Sequence, residues 1–215
     1  MKNIILLVST ILGTFMAVVG LAYFLSAKSG ATASVPANPE LVSGGARWSR
    51  GPAEAKVTVV EFSDLQCPAC RAVQPAIAQV INKYPDQVRV IFRHFPLKTI
   101  HTYAQLAAQA AEAAGEQDKF WEMHDLLFNR QPEWSELDSA DAVKSKFIQY
   151  VSELGIDSQR FSETIDSDKV RQAVQIDVDD ATALNLNSTP TLFVNNQLVP
   201  APQNLLKIVE QWINQ

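Results

Sequence analysis

The two cysteines of this chain, Cys67 and Cys70, are the only ones it has, and they stand three residues apart where a strand pattern gives way to a helix pattern. Upstream, Lys56-Val-Thr-Val-Val-Glu-Phe62 is short and rich in β-branched residues, which predicts a strand buried on both faces. Downstream, Val73, Ile77, Val80, Ile81 and Tyr84 fall on one helical stripe, with Pro68 at a natural first helical position and Pro75 inside the helix. A second short apolar run, Val88–Phe92, completes a β-α-β unit. Near the carboxy terminus, Thr191–Val194 and Gln197–Val199 flank Asn195-Asn196, a pair that tolerates the positive φ values of a tight hairpin. A last helix carries Leu205, Ile208, Val209 and Trp212 on one stripe, so the chain closes as β-β-α. The predicted fold class is α/β, with a four-stranded central sheet.

Between these halves lie roughly 95 residues, about 94–188, in a pattern that is almost wholly helical. Tyr103–Ala114 is Ala-rich; Phe120, His124, Leu127 and Phe128 mark a second helix, and Val143, Phe147, Val151 and Leu154, followed by Gly155, a third. A longer helix follows Asp168. A crossover between parallel strands needs only about a dozen residues, so the block is read as a large helical insertion covering one side of the sheet.

The other end of the chain has a different character. Ile4–Leu25 carries no charge and is long enough to cross a hydrocarbon layer of about 30 Å. Residues 1–25 are therefore expected to be a transmembrane anchor or a signal sequence; the apolar run exceeds that of a typical signal peptide, although Ala31-Thr32-Ala33 offers a small-residue cleavage site. Residues 26–50, rich in Ser, Ala, Gly and Pro, read as a flexible linker, and the folded domain is expected over 51–215. Net charge is −5 and no Lys/Arg-rich run occurs, which argues against a nucleic-acid partner.

Chemistry enters with the cysteines. The thiolate is the attacking species, and a cysteine at a helix N-terminus has its pKa lowered by unpaired N–H groups and the helix dipole. Cys67 is the expected nucleophile, and Cys70, one turn in, is placed to resolve a mixed disulfide. An inert disulfide is the plainer alternative, but so small a loop restricts the unfolded chain very little. Zinc wants four ligands, and only His94, His101 and His124 are on offer beside the pair. No metal is expected. His124 shares a stripe with Phe120 and Leu127 and reads as a packed histidine, whereas His94 and His101 lie near a strand-to-helix loop. Glu61 alternates with Val57 and Val59 on an apolar strand face, so it is either a buried carboxyl with a raised pKa or an edge carboxylate in water.

The run EFSDLQCPACRAVQP resembles the active-site strand-to-helix junction of DsbA-like thiol–disulfide oxidoreductases of the thioredoxin superfamily, and NSTPTLFVN resembles their second active-site loop. AAGEQDKFWEMHDLLF resembles the helical part of the membrane-anchored or secreted DsbA/BdbD-like members; the likeness covers Lys56 to the carboxy terminus. It implies a thioredoxin-like fold with a helical insertion, nucleophilic and resolving roles for Cys67 and Cys70, and a proton-transfer role for Glu61. It also implies a cis Pro190 after Thr189, in a loop that packs on the cysteines and offers backbone groups to an extended substrate. The implied activity is dithiol oxidation of exported proteins, with reduction or isomerisation, or an anchored binding domain with a structural disulfide, as alternatives. The implied partners are thiol- or disulfide-bearing exported proteins and a membrane redox protein of the DsbB or vitamin K epoxide reductase type. The Cys67–Cys70 disulfide serves in place of a cofactor. The implied location is the cell membrane, by a single span with the catalytic domain outside the cytoplasm, or secretion after cleavage. Some positions depart from the family: Pro68-Ala69 replaces the Pro-His of the strongest oxidants, Asp64 adds a negative charge, and Ser188 and Asn196 stand where glycine is usual.

Overall fold

The computed structural model describes residues 37–215 and the single position Met16. The expected anchor or signal over 1–25 and the first part of the linker lie outside the described residues, Met16 aside. Among the described residues no helix is long and apolar enough to cross a membrane.

A five-stranded sheet in the order β1-β3-β2-β4-β5 organises the domain. Strand β2 (Val57–Ser63) pairs in parallel with β3 (Val88–His94), from Val57↔Val88 to Ser63↔His94. On its other side β2 pairs antiparallel with β4 (Thr191–Val194), which turns back into β5 (Gln197–Leu198). The turn residues Asn195 and Asn196 have φ of 46° and 64°, the left-handed conformation asparagine accepts most readily after glycine.

The fifth strand, β1 (Trp48–Arg50), and a short helix α1 (Pro39–Val42) fall inside the stretch read as linker. Local composition concealed them because long-range contacts hold them. Trp48 stacks on Phe120 with ring centroids 4.2 Å apart, and its indole N–H donates to Glu112 at 2.6 Å. Arg50 pairs with Asp125 at 2.6 Å and lies over the Trp121 ring. Gly51 then passes the sheet at φ 95°, where a Cβ would sit 2.2 Å from the Val88 carbonyl. Helix α1 is tied down by Arg93, which donates to the carbonyls of Val42 and Gly44.

One face of the sheet buries Val57, Val59, Val88 and Val90 against helix α2 (Pro68–Lys83) and the carboxy-terminal helix α9 (Leu205–Ile213). Because side chains alternate along a strand, Glu61 and Ser63 share that face at its far end, beneath the start of α2. The opposite face buries Val60, Phe62, Ile91 and Phe193. The insertion comprises α3 (Ala104–Gly115), α4 (Phe120–Asn129), α5 (Gln131–Ser135), α6 (Ala140–Glu153), α7 (Ser158–Thr164) and α8 (Asp168–Ala183). Its Trp134, Phe147 and Tyr150 belong to the same apolar cluster as Leu65, Cys67 and Cys70, so the insertion packs directly behind the cysteine loop.

Candidate active site

Cys67 is the N-cap of α2, and Pro68 opens the helix, where its missing N–H is no loss. Both cysteines are free and buried, Cys67 at 7% exposure and Cys70 at 0%, so Cys67 alone of the two keeps a margin of surface. The hydrogen bond from the Cys70 thiol, aided by the Cys70 and Ala69 backbone N–H groups, brings the Cys67 pKa down from 9.0 to about 5. Burial is the main force in the opposite direction on Cys70, with the Cys67 bond and the charge of Glu61 adding to it, and its pKa rises far above the thiol range. The pair is thus an acidic thiol over a fully buried one that holds its proton.

Glu61 is 2% exposed, in keeping with a central strand rather than an edge. Burial lifts its pKa from 4.5 to about 7, partly opposed by hydrogen bonds from the Ser63 hydroxyl at 2.8 Å and the Gln74 amide at 3.1 and 3.2 Å. Ser63 also acts on the Cys70 thiol, where it lowers the pKa against the rise that burial brings. Gln74 in turn donates to the Cys70 carbonyl at 3.1 Å. Neither Ser63 nor Gln74 was singled out from the sequence. Both sit at readable spacings: Ser63 two residues beyond Glu61 on the same strand face, Gln74 one helical turn beyond Cys70.

The Thr189–Pro190 peptide is cis, and the Thr189 carbonyl lies 3.7 Å from the Cys67 sulfur. Ala69 and Pro190 share the wall of a largely apolar groove of about 720 Å³, completed by Ala72, Pro75, Ala76 and Pro202. The structure therefore brings Cys67, Cys70, Glu61, Pro68, Ala69, Thr189 and Pro190 into one site. Asp64 does point inward, but its carboxylate meets His101 Nδ1 at 2.7 Å. His94 is turned into the fold, 3.2 Å from Glu112. His124 is packed among Phe92, Trp121 and Phe128, and burial lowers its pKa. Among the described residues no cluster of three or more His, Cys, Asp or Glu side chains could hold a metal ion.

The family model described as Thioredoxin matches residues 43–214. The chain belongs to the thioredoxin family. Its fold is similar to that of BdbD from Bacillus subtilis, at a TM-score of 0.69 and 22% identity, over 85% of this chain and 98% of that one. It is also similar to that of a thioredoxin-like oxidoreductase from Silicibacter pomeroyi, at a TM-score of 0.67 and 26% identity, over 83% and 99% of the two chains. These likenesses establish a thioredoxin-like domain with a helical insertion of the DsbA type. Curated relatives of another kind also match: a Na(+)/H(+) antiporter NhaA of Salinispora tropica is 43% identical over 156 residues, 73% of this chain. The match takes in only 22% of that antiporter, so the chain spans about a fifth of the relative's length.

Proposed function

We propose that the domain is an extracytoplasmic thiol–disulfide oxidoreductase that introduces disulfides into exported proteins. The observation that carries this reading is the division of labour between the sulfurs: Cys67, at 7% exposure, with its pKa lowered to about 5, and Cys70 fully buried beside a carboxyl near 7. In the disulfide form, a substrate thiolate attacks Cys67 Sγ. A Cys67–substrate disulfide forms, the Cys67–Cys70 bond breaks, and Cys70 leaves with the electron pair. Glu61, whose charge acts on the Cys70 thiol, supplies the proton to Cys70. A second substrate thiolate then attacks the substrate sulfur of the mixed disulfide and expels Cys67 as a thiolate. The substrate gains a disulfide and the enzyme is left as a dithiol. A thiol held acidic is a good leaving group, and a stabilised reduced form makes a strong oxidant.

The groove between α2 and the Pro190 loop is apolar and adjoins the cysteine pair, which suits an extended, partly unfolded polypeptide. Thr189 and Pro190 would present backbone groups to it, as the resemblance to DsbA-like proteins implies. The same resemblance implies reoxidation by a quinone-linked membrane protein of the DsbB or vitamin K epoxide reductase type. The apolar run over Ile4–Leu25 supports a single-pass anchor, or secretion if it is cleaved, and the relatives named as membrane antiporters fit a domain that works beside a membrane. Pro68-Ala69 lacks the histidine of the strongest oxidants, which keeps a second reading open, a reductase or isomerase on the same fold.

Equilibration of the full chain in glutathione buffers, followed by tryptophan fluorescence, distinguishes the two. A potential between about −120 and −180 mV is expected for a disulfide donor, and one near −270 mV would make the protein a reductase. Cys67→Ser should abolish turnover while leaving stability unchanged; retained turnover would remove Cys67 from the mechanism.

A further inference from the structure

Asp64, the first residue after β2, grips both cysteines through its backbone. Its N–H donates to the Cys70 sulfur at 3.4 Å, and its carbonyl accepts from the Cys67 N–H at 3.0 Å. Its side chain is 0% exposed. One carboxylate oxygen accepts from the Gln66 N–H at 2.8 Å; the other accepts from the Leu97 N–H at 2.9 Å and from His101 Nδ1 at 2.7 Å. Of these three donors only the imidazole can carry a charge, and its side chain is 16% exposed, within reach of solvent protons. Gln66 binds the same turn, accepting from the Tyr103 N–H at 2.6 Å. The cysteine loop is thus laced to residues 97–103, at the mouth of the insertion.

A carboxylate near a thiolate disfavours it unless its charge is offset. Glu61, from β2, also acts on the two thiols, while Arg71 of α2 is exposed. Backbone donors alone would satisfy Asp64 as a hydrogen-bond acceptor. They bring no countercharge. We propose that His101 is a positioning residue of the thiol–disulfide site, holding Asp64 through Nδ1–H and offsetting its charge so that Cys67 persists as a thiolate. This rests on the thiol–disulfide reading and adds to it a residue in the turn after β3 that tunes the sulfur without touching substrate.

The test is thiolate absorbance against pH in the reduced full chain, with the glutathione equilibrium measured alongside, for wild type, His101→Phe, His101→Gln, Asp64→Asn and the double variant His101→Phe/Asp64→Asn. In His101→Phe the thiolate midpoint should rise by about one pH unit, the low end for loss of a nearby opposite charge, so that alkylation at pH 5 slows about fivefold. His101→Gln, which can keep a neutral donor, should shift in the same direction, and the potential should become more reducing in both. Adding Asp64→Asn should bring the midpoint back. If His101→Phe does not fold, Asp64→Asn alone serves, with a midpoint expected to fall. A purely structural His101 would lower thermal stability and leave the midpoint in place, which overturns the inference. A wild-type thiol with an ordinary pKa would instead bring down the thiol–disulfide reading and this inference together; a low wild-type midpoint that no variant moves sinks the inference alone.

Discussion

Glu61→Gln tests the proton-transfer assignment without altering the shape of the site. The carboxyl is 2% exposed, and burial raises its pKa from 4.5 to about 7. Below about pH 4.5 it is protonated in both the folded and the unfolded chain and contributes no difference. Between 4.5 and about 7 the unfolded carboxyl ionises while the folded one keeps its proton, so the unfolded chain binds fewer protons and stability falls as pH rises. Above about 7 the full difference remains, on the order of 3 kcal/mol at 1.36 kcal/mol per pH unit. Glutamine never ionises, and its amide oxygen can still accept from Ser63 and Gln74. The variant should therefore match wild type near pH 4.5 and become more stable by about 3 kcal/mol at pH 7.5, read by urea unfolding of the reduced proteins across that range. Its resolving step should slow at neutral pH, with a longer-lived mixed disulfide. A stability difference that stays constant from pH 4 to 8 would refute the assignment of a near-neutral pKa to Glu61.

Three other perturbations reach different parts of the molecule. Arg93→Met leaves Asp177 and Asp180 without their cation, because the guanidinium is 0% exposed and pairs with both; breaking such a buried pair costs about 3–5 kcal/mol, and a urea midpoint equal to wild type would count against the latch on α1. Gly115→Ala drives a methyl group to 2.4 Å from the Trp48 ring, so β1 should loosen at a cost of about 1–3 kcal/mol, seen as faster hydrogen exchange over 48–50. In the reduced protein, alkylation of Cys67 should gain speed through a midpoint of about 5 while Cys70 stays unmodified; equal labelling of the two would contradict the buried, proton-holding role of Cys70.

The parts of the fold that local pattern determines could be read directly. Strands β2 and β3 are β-branched runs, the hairpin is marked by Asn195-Asn196, and α2 declares itself by its apolar stripe. Glu61 was legible for the same reason, since strand periodicity alone puts it on the face of Val57 and Val59. Strand β1 was not. Three residues in a Ser- and Gly-rich stretch carry no periodic signal, and their place is decided by Glu112 and Phe120, more than sixty positions away. The Asp64–His101 pair spans 37 positions and was hidden by the same kind of distance: the negative charge beside the cysteines was visible, its partner was not.

That partner, and the uncharged donors that meet Glu61, make sense as two halves of one electrostatic arrangement. A cation at bonding distance from Glu61 would bring its pKa down by 1–3 units or so, and a carboxyl that stays ionised near neutrality has no proton to give Cys70. Ser63 and Gln74 donate hydrogen bonds without bringing charge, so desolvation prevails and the carboxyl stays near 7. Asp64 has the opposite duty, since it orients the loop and transfers nothing. A carboxylate with both oxygens hydrogen-bonded suits that duty. Two acids three residues apart are thus separated in function by their donors, neutral for the one that exchanges a proton and ionisable for the one that does not.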